Sequence, residues 1–138
     1  MKLVLDTDVV VAAMRSPSGA SAEIVRAARQ GRVTLLVSMP LALEYEAVCS
    51  RVEHRLAAGM SADDVEIFVT AVIAMAEPVS THFLWRPQLR DAADEMVLEA
   101  AINGGADALV TFNLRDFRPA ASQFGVATWL PREAVGRI

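Results

Sequence analysis

The sequence lacks the residues that mark several common classes of protein. Cys49 is the only cysteine among 138 residues, so no internal disulfide forms, which is typical of a reducing compartment. Two histidines, His54 and His82, are too few and too far apart for a histidine-rich metal site. No apolar run reaches the roughly 18 residues of a membrane span, and Asp6 and Asp8 interrupt the place of a signal-peptide core. We therefore expect a soluble, cytoplasmic protein with no membrane partner.

Lysine is also nearly absent, because Lys2 is the only one in the chain and the other basic residues are arginines. The 13 basic residues are outnumbered by 17 acidic ones, which gives a formal net charge of −4. Proteins that coat nucleic acids are usually basic, so this charge argues against that class. It does not exclude an enzyme whose acidic residues surround a metal ion, because the ion reverses the local field. Arginine suits bidentate phosphate contacts, although its use in place of lysine can also reflect genome composition.

Apolar residues are abundant, at 54% of the chain, which excludes a disordered protein and allows a sizeable core. Segments of strand character alternate with segments of helical periodicity. Strands are predicted at 2–6, 33–38, 77–83, 107–112 and within 124–130, and helices directly after Thr7 and at 21–31, 40–56, 61–76 and 92–104. This alternation is typical of βαβ units, so we predict one α/β domain over residues 1–138, with a mostly parallel sheet of about five strands covered on both faces.

Two aspartates interrupt the first apolar segment, in the stretch LDTDVVV. Asp6 lies at the end of the first predicted strand, and open parallel sheets bind ligands at the carboxyl ends of their strands. Thr7 is a candidate N-cap of the next helix, and Asp8 falls in its first turn, where a negative charge suits the helix dipole. Helix capping explains Asp8 about as well as function does. The helix needs only one capping side chain, so Asp6 is the stronger functional candidate.

Further polar residues recur just beyond the other predicted strands. Glu44 lies one turn into the helix after the second strand, although an acid there also fits a solvated helix face. Others cluster at the start of helix 92–104 and after strand 107–112: Asp91, Asp94 and Glu95, then Asn113 and Asp116. Turn chemistry explains Asn113 about as well as function does. All of these positions are expected at the same edge of a parallel sheet.

Carboxylates that converge at one edge repel each other unless they are protonated or bridged by a cation. Hard divalent ions prefer oxygen ligands, and Mg²⁺ typically takes one or two carboxylates while it keeps several waters. Such an ion activates water and neutralises charge on a phosphoryl oxygen. The acidic residues therefore favour a metal site that hydrolyses a phosphate ester.

Three stretches of the sequence resemble the PIN-domain family, in particular the bacterial PIN toxins of toxin–antitoxin pairs. They are LDTD at 5–8, ALEYEAV at 42–48 and RDAADEMVLEAAINGGADALVTFNLRDF at 90–117. The resemblance covers essentially the whole chain in order and spacing, and the third stretch is its most specific part. It implies a three-layer α/β/α sandwich and an endoribonuclease that uses Mg²⁺ or Mn²⁺ to cut RNA.

The resemblance also implies roles for individual residues. The acidic positions of the family fall on Asp6, Glu44, Asp94 and Asn113, with Asp116 three residues further on. Asp6 and Asp94 are expected to hold the metal directly and Glu44 to hold it or a bound water, whereas the last two residues complete its shell or place the attacking water. Auxiliary contacts are expected from Thr7, Asp8, Asp91 and Glu95, and phosphate contacts from Arg15, Arg90 and Arg115.

Two other functions stay open. The stretch LDTDVV also fits the aspartate-x-aspartate pattern of haloacid-dehalogenase-like phosphatases, in which the first aspartate is the nucleophile. Those enzymes also need a mid-chain basic residue, usually lysine, and Lys2 is at the wrong end of its strand. The second alternative is a PIN-like interaction module with weakened catalysis, because the family often has aspartate at the position of Asn113. The resemblance further implies a cognate antitoxin that blocks the acidic cleft, and a homodimer.

Overall fold

A computed structural model of the chain describes residues 1–82 and 88–138. Five strands and eight helices are found within these two ranges. Their order is β1 (Lys2–Leu5), α1 (Thr7–Arg15), α2 (Ala20–Arg29), β2 (Thr34–Ser38), α3 (Met39–Cys49), α4 (Val52–Ala58), α5 (Ala62–Met75), β3 (Glu77–Val79), α6 (Ala92–Gly104), β4 (Ala108–Val110), α7 (Leu114–Gln123), β5 (Ala127–Trp129) and α8 (Pro131–Arg137).

The strands form one sheet in the order β3-β2-β1-β4-β5, and every pair of neighbouring strands is parallel. From β1 the chain builds outwards through β2 to β3, then crosses back to β4 on the other side of β1 and continues to β5. The strand order therefore reverses between β1 and β4, which is where an open parallel sheet has its ligand-binding crevice. The predicted central sheet is confirmed, and it is wholly parallel.

Helices pack against both the sheet and each other. Helix α6 lies across β1, β2 and β4, whereas α1 packs against α2 and α3, and α2 packs against α8. Because parallel crossovers are right-handed, the reversal of strand order places the helices after β1 and β2 on the opposite face from α6 and α7. The central strands are apolar throughout, and Leu3, Val4 and Leu5 are all buried, as expected for strands covered on both faces. The predicted α/β/α architecture is confirmed.

Several local predictions are wrong for identifiable reasons. The predicted helix 40–56 is two helices, because the chain turns at Ser50 and Arg51 between α3 and α4. Helix α7 was not predicted, since Pro119 lies in its interior and a proline usually ends a helix. Helix α8 was not predicted either. The strand predicted at 77–83 is reduced to β3, and its last predicted residue, Phe83, lies outside the described residues.

The predicted start of the helix at 61–76 is confirmed in atomic detail. The Ser61 side chain accepts a hydrogen bond from the Asp64 N–H, and the Asp64 carboxylate accepts one from the Ser61 N–H, which is a complete capping box. No helix in the described part of the chain has both the length and the apolar character to cross a bilayer.

We predict that Gly104→Ala destabilises the fold, because Gly104 packs against β2 and β3. A Cβ atom there would lie 2.8 Å from Leu36 Cδ1 and 2.9 Å from Val79 Cγ2, so these side chains would have to move. We expect a loss of about 1–2 kcal/mol in the free energy of unfolding, measured by urea denaturation. The control is Gly136→Ala in α8, where the new Cβ atom meets nothing within 4 Å and no loss is expected. Unchanged stability of Gly104→Ala would contradict this packing.

Candidate active site

A cavity of about 960 Å³ opens at the carboxyl ends of β1 and β4. Four separate parts of the chain line it: Asp6, Thr7 and Asp8; Glu44, Val48 and Arg51; Gln88, Leu89, Arg90, Asp91, Ala93 and Asp94; and Asn113, Arg115 and Asp116. The structure thus brings the predicted site residues to one cavity, with the exception of Glu95 and Arg15. The cavity lies where the strand order of the sheet reverses, between β1 and β4.

Asp6 is held in place by the neighbouring strand. It is only 6% exposed, and its N–H donates to the Val110 carbonyl at 2.9 Å, which extends the β1–β4 pairing by one residue. Its Oδ2 accepts a hydrogen bond from Thr111 Oγ1 at 2.7 Å, and Thr111 Oγ1 in turn accepts one from the Asn113 N–H at 2.9 Å. The prediction of Thr7 as the N-cap is wrong, because Asp6 occupies that position and Thr7 is the first, buried residue of α1.

Tyr45 joins α3 to the same end of β1. Its hydroxyl donates to the carbonyl of Leu5, the residue before Asp6. Burial raises the pKa of the Tyr45 hydroxyl well above its ordinary value, and the nearby charge of Asp6 adds to the shift, so the hydroxyl stays protonated as a donor. Glu44, the residue before Tyr45 on α3, is half-buried and lines the cavity. Sequence reasoning missed Tyr45, because a buried tyrosine on a helix reads as ordinary core.

The start of α6 contributes two aspartates that differ in their surroundings. Asp91 precedes the helix, and its Oδ1 accepts a hydrogen bond from the Ala93 N–H at 2.9 Å, so it is the N-cap. Asp94 lies in the first turn of α6, lines the cavity and is half-buried. Its carboxylate makes no hydrogen bond or ion pair with a residue in the described ranges, which leaves its oxygens available to a ligand.

Glu95 does not line the cavity, but it supports one wall of it. Its side chain is buried, and Oε1 accepts hydrogen bonds from the N–H groups of Gln88 at 2.6 Å and Leu89 at 2.8 Å. Those two residues line the cavity. The sequence predicts Glu95 as an auxiliary contact of the site, and the structure places its carboxylate against the backbone N–H groups of Gln88 and Leu89.

Asn113 and Asp116 are linked to each other at the start of α7. The Asn113 side-chain amide donates to Asp116 Oδ2 at 2.8 Å, and it makes no capping hydrogen bond to the helix. Both residues line the cavity, and Asp116 is exposed. Asn113 is the N-cap residue of α7, and its side chain bonds to Asp116 in the first turn instead of to the backbone of the helix.

Burial and repulsion between like charges dominate the electrostatics of the cavity. Burial raises the pKa of Asp6 from 3.8 to about 6, against the opposing effect of the Thr111 hydrogen bond. The pKa of Asp94 rises from 3.8 to about 7, first through burial and then through the charges of four aspartates, in the order Asp6, Asp91, Asp116 and Asp8. Glu44 is not among the charges that raise either pKa. The aspartates therefore act on one another, with Asp94 at the centre of the group.

The donor set fits a hard divalent ion that keeps part of its water shell. Every candidate ligand is an oxygen, which is what Mg²⁺ and Mn²⁺ prefer. Within residues 1–82 and 88–138, no three Asp, Glu, His or Cys side chains stand close enough together to hold one ion. Mg²⁺ usually binds through one or two carboxylates, and among the four aspartates whose charges raise the pKa of Asp94 the largest effect comes from Asp6, which is buried at the end of β1. These two residues are therefore the best candidates for direct ligands.

Three arginines share the cavity with the aspartates: Arg51, Arg90 and Arg115. None of their guanidinium groups makes a hydrogen bond or ion pair with a described residue, so their donors are free for phosphate oxygens. Arg15 is not part of this lining, and its Nη1 lies 3.4 Å from Nδ1 of His54. Arg51 was missed, because the break between α3 and α4 that brings it to the cavity has no clear signal in the sequence.

Known proteins resemble this chain in sequence and in structure. A family model of the PIN domain matches residues 2–115, a range that contains Asp6, Glu44, Asp94 and Asn113. The chain belongs to the PIN-domain family. Its structure is similar to the crystal structure of VapBC2 from Rickettsia felis bound to a DNA fragment from their promoter, with a TM-score of 0.66 and 15% identity over 93% of this chain and 97% of that chain. This likeness shows a shared fold. No curated protein matches the sequence.

Membership of the PIN family argues against the haloacid-dehalogenase-like alternative. Lys2, the only lysine, lies at the amino end of β1, away from the cavity at the carboxyl end. Its Nζ is 3.6 Å from the Glu77 carboxylate. The basic residue that would steady a phosphoaspartate is therefore not a lysine in this chain.

We predict that Asp94→Asn raises the thermal stability of the metal-free protein near neutral pH. The folded-state pKa of Asp94 is about 7 against an ordinary 3.8, so the folded state binds this proton more tightly than the unfolded state does. Wild-type stability should therefore fall as pH rises from about 4 to about 7. Removal of the charge should raise Tm by about 2–4 °C at pH ~8 in EDTA and change it little at pH ~4. Loss of a helix-dipole contact, about 0.3–1 kcal/mol, offsets part of the gain.

The matched control for this measurement is Glu46→Gln. Glu46 is an exposed acid on α3 that is not part of the cavity lining, so its Tm should be close to wild type at both pH values. A Tm of Asp94→Asn clearly below wild type at pH ~8 would contradict the repulsion among these aspartates.

Proposed function

We propose that this protein is a divalent-metal-dependent endoribonuclease that hydrolyses RNA phosphodiester bonds. The observation that carries the proposal is the convergence of aspartates from separate elements on one cavity, which also holds three arginines that have no partner among the described residues. A cavity that combines oxygen ligands for a cation with free guanidinium groups suits a phosphate ester. Membership of the PIN family, whose members are nucleases, supports the same reaction class.

Each residue of the cavity has a role in this proposal. Asp6 and Asp94 hold Mg²⁺ or Mn²⁺ directly, and Glu44 acts through a water. Asn113 and Asp116 complete the shell or place the attacking water, with Thr7, Asp8 and Asp91 as auxiliary contacts. When bound, the ion supplies neutralisation of phosphate charge and a more acidic water. The arginines Arg51, Arg90 and Arg115 hold phosphate oxygens on either side of the reacting bond.

Asp6→Asn and Asp94→Asn should each reduce Mn²⁺-dependent cleavage of single-stranded RNA to the level of wild-type protein in EDTA. Each substitution removes one negative oxygen from the proposed direct ligands and leaves the shape of the residue intact. Cleavage is measured on a gel with purified protein, and circular dichroism confirms that each variant is folded. Glu46→Gln serves as the control and should cleave as the wild type does. Near wild-type cleavage by either aspartate variant would contradict the assignment of the site.

A second candidate function is an interaction module that has lost strong catalysis. Two observations favour it: Asn113 stands where the family often has aspartate, and no three acidic side chains in the described ranges are close enough to hold an ion as they stand. Calorimetric titration with Mn²⁺ separates the two candidates. The nuclease predicts saturable binding that is lost in Asp6→Ala, whereas the module predicts that neither protein binds the ion.

The cellular role that we propose is the toxin of a type II toxin–antitoxin pair. The similarity to VapBC2 supports it, together with the resemblance of the long C-terminal stretch to PIN toxins. The chain then acts in the cytoplasm as a single domain over residues 1–138, forms a homodimer, and is neutralised by an antitoxin that covers the cavity. Expression of the wild type should arrest growth, and Asp94→Asn should not. Co-expression of the neighbouring gene should restore growth and yield a complex that purifies together.

A further inference from the structure

A second cavity of about 420 Å³ is lined by residues that neighbour those of the first along α1 and after β4, and its lining is mostly apolar. One wall comes from the end of α1 and the start of α2, through Ala12, Ser16 and Gly19. The other walls come from Phe112 and from Arg132 at the start of α8. The small side chains of the first wall leave room for a flat group, and the aromatic ring offers that group a face.

Helix α1 connects the two cavities along a single face. Asp8 lines the acidic cavity, whereas Ala12 and Ser16 line the second one. Residues four apart lie on the same face of a helix, so Asp8 and Ala12 share one face of α1, and Ser16 is the residue directly after the helix. At about 1.5 Å of rise per residue, Ala12 lies about 6 Å and Ser16 about 12 Å from Asp8 along the helix axis. A single-stranded nucleic acid that passes through the acidic cavity therefore reaches the second cavity within a few nucleotides.

Phe112 stands between two residues of the acidic site. Thr111 is wholly buried and donates to Asp6, and Asn113 lines the acidic cavity, whereas the Phe112 ring is 52% exposed and lines the second cavity. The backbone N–H of Asn113 donates to Thr111 Oγ1 and so links the two residues that flank Phe112. The residues on either side of Phe112 therefore belong to the acidic site, whereas Phe112 itself lines the second cavity.

Arg132 supplies a positive charge at the second cavity. The residue is exposed, and its guanidinium group makes no hydrogen bond or ion pair with any residue in 1–82 or 88–138. A free guanidinium beside an exposed aromatic ring matches a nucleotide, which carries a negative phosphate and a flat base. Unpaired bases stack on aromatic side chains when proteins bind single-stranded RNA.

We propose that the second cavity is a subsite for one unpaired nucleobase of RNA, stacked on Phe112, with the adjoining phosphate held by Arg132. This proposal rests on the ribonuclease function proposed above and adds a second site at which the RNA substrate is bound. At about 3.4 Å per nucleotide in a stacked strand, the spacing of about 6–12 Å places the stacked base about two to four nucleotides from the cleaved bond.

The first test measures binding of a fluorescent single-stranded decaribonucleotide by anisotropy. Ca²⁺ replaces Mn²⁺, and a gel checks that the RNA stays intact. Phe112→Ala should weaken binding about 5-fold or more, which is the usual effect of losing one base–aromatic stack. Phe112→Tyr should bind as the wild type does, because it keeps the ring. Ile67→Ala, which removes an apolar side chain that is 69% exposed on α5, is the matched control and should have no effect.

Phe112→Leu distinguishes a stacked base from apolar packing of the RNA against the side chain. Leucine keeps the apolar surface and loses the ring, so the proposal predicts a loss as large as that of Phe112→Ala. If Phe112→Leu binds RNA as the wild type does, the contact is apolar packing and the nucleobase subsite is overturned. Equal binding by all of the Phe112 variants also overturns it.

The second test replaces each nucleotide of the RNA in turn by an abasic nucleotide. At one position the wild type should lose binding by the same factor as Phe112→Ala does, and Phe112→Ala should be insensitive at that position. Absence of any such position contradicts the subsite.

If the subsite fails while Mn²⁺-dependent cleavage persists, the ribonuclease stands without it. If cleavage fails while the abasic pattern holds, the subsite stands as an RNA-binding site. If the wild type binds no RNA, both are overturned.

Discussion

The hydrogen bond from Thr111 to Asp6 joins the ends of two neighbouring parallel strands, and the whole acidic cavity is arranged around it. Asp6 follows β1 and Thr111 follows β4, on the two sides of the point where the strand order reverses. Each side chain is buried among apolar strands, where a carboxylate is costly unless it accepts hydrogen bonds. The Thr111 hydroxyl supplies such a bond and fixes the direction of the carboxylate. Tyr45 adds a second link to the same end of β1.

The fold tolerates an unfavourable concentration of charge at this place. Burial and mutual repulsion raise the pKa values of Asp6 to about 6 and of Asp94 to about 7, so the ionised cavity opposes folding near neutral pH when no cation is present. The apolar sheet beneath offsets this cost, because its central strands are buried on both faces. A protein whose only requirement was stability would not gather these aspartates. Their convergence supports the divalent cation in the function that we propose.

The parts of the fold that follow from local patterns could be predicted. Apolar strands, helical periodicity and the acids just after each strand predicted the parallel sheet and the residues that meet at its edge. The parts that depend on distant contacts could not. The break that brings Arg51 to the cavity, helix α7 around Pro119, and the inward support given by Glu95 each depend on packing that no short stretch of sequence encodes. Phe112 read as the end of a strand, and only its exposure beside a second cavity gives it a role.

The central claim is that Asp6 and Asp94 hold one divalent ion between them. A crystal structure of the protein soaked in Mn²⁺, with anomalous diffraction recorded for manganese, tests it most directly. The account predicts a single strong anomalous peak in the acidic cavity, bonded to oxygens of both carboxylates, which move towards each other relative to the metal-free arrangement. An absence of any peak in this cavity, at a concentration that fills other manganese sites, would contradict the account.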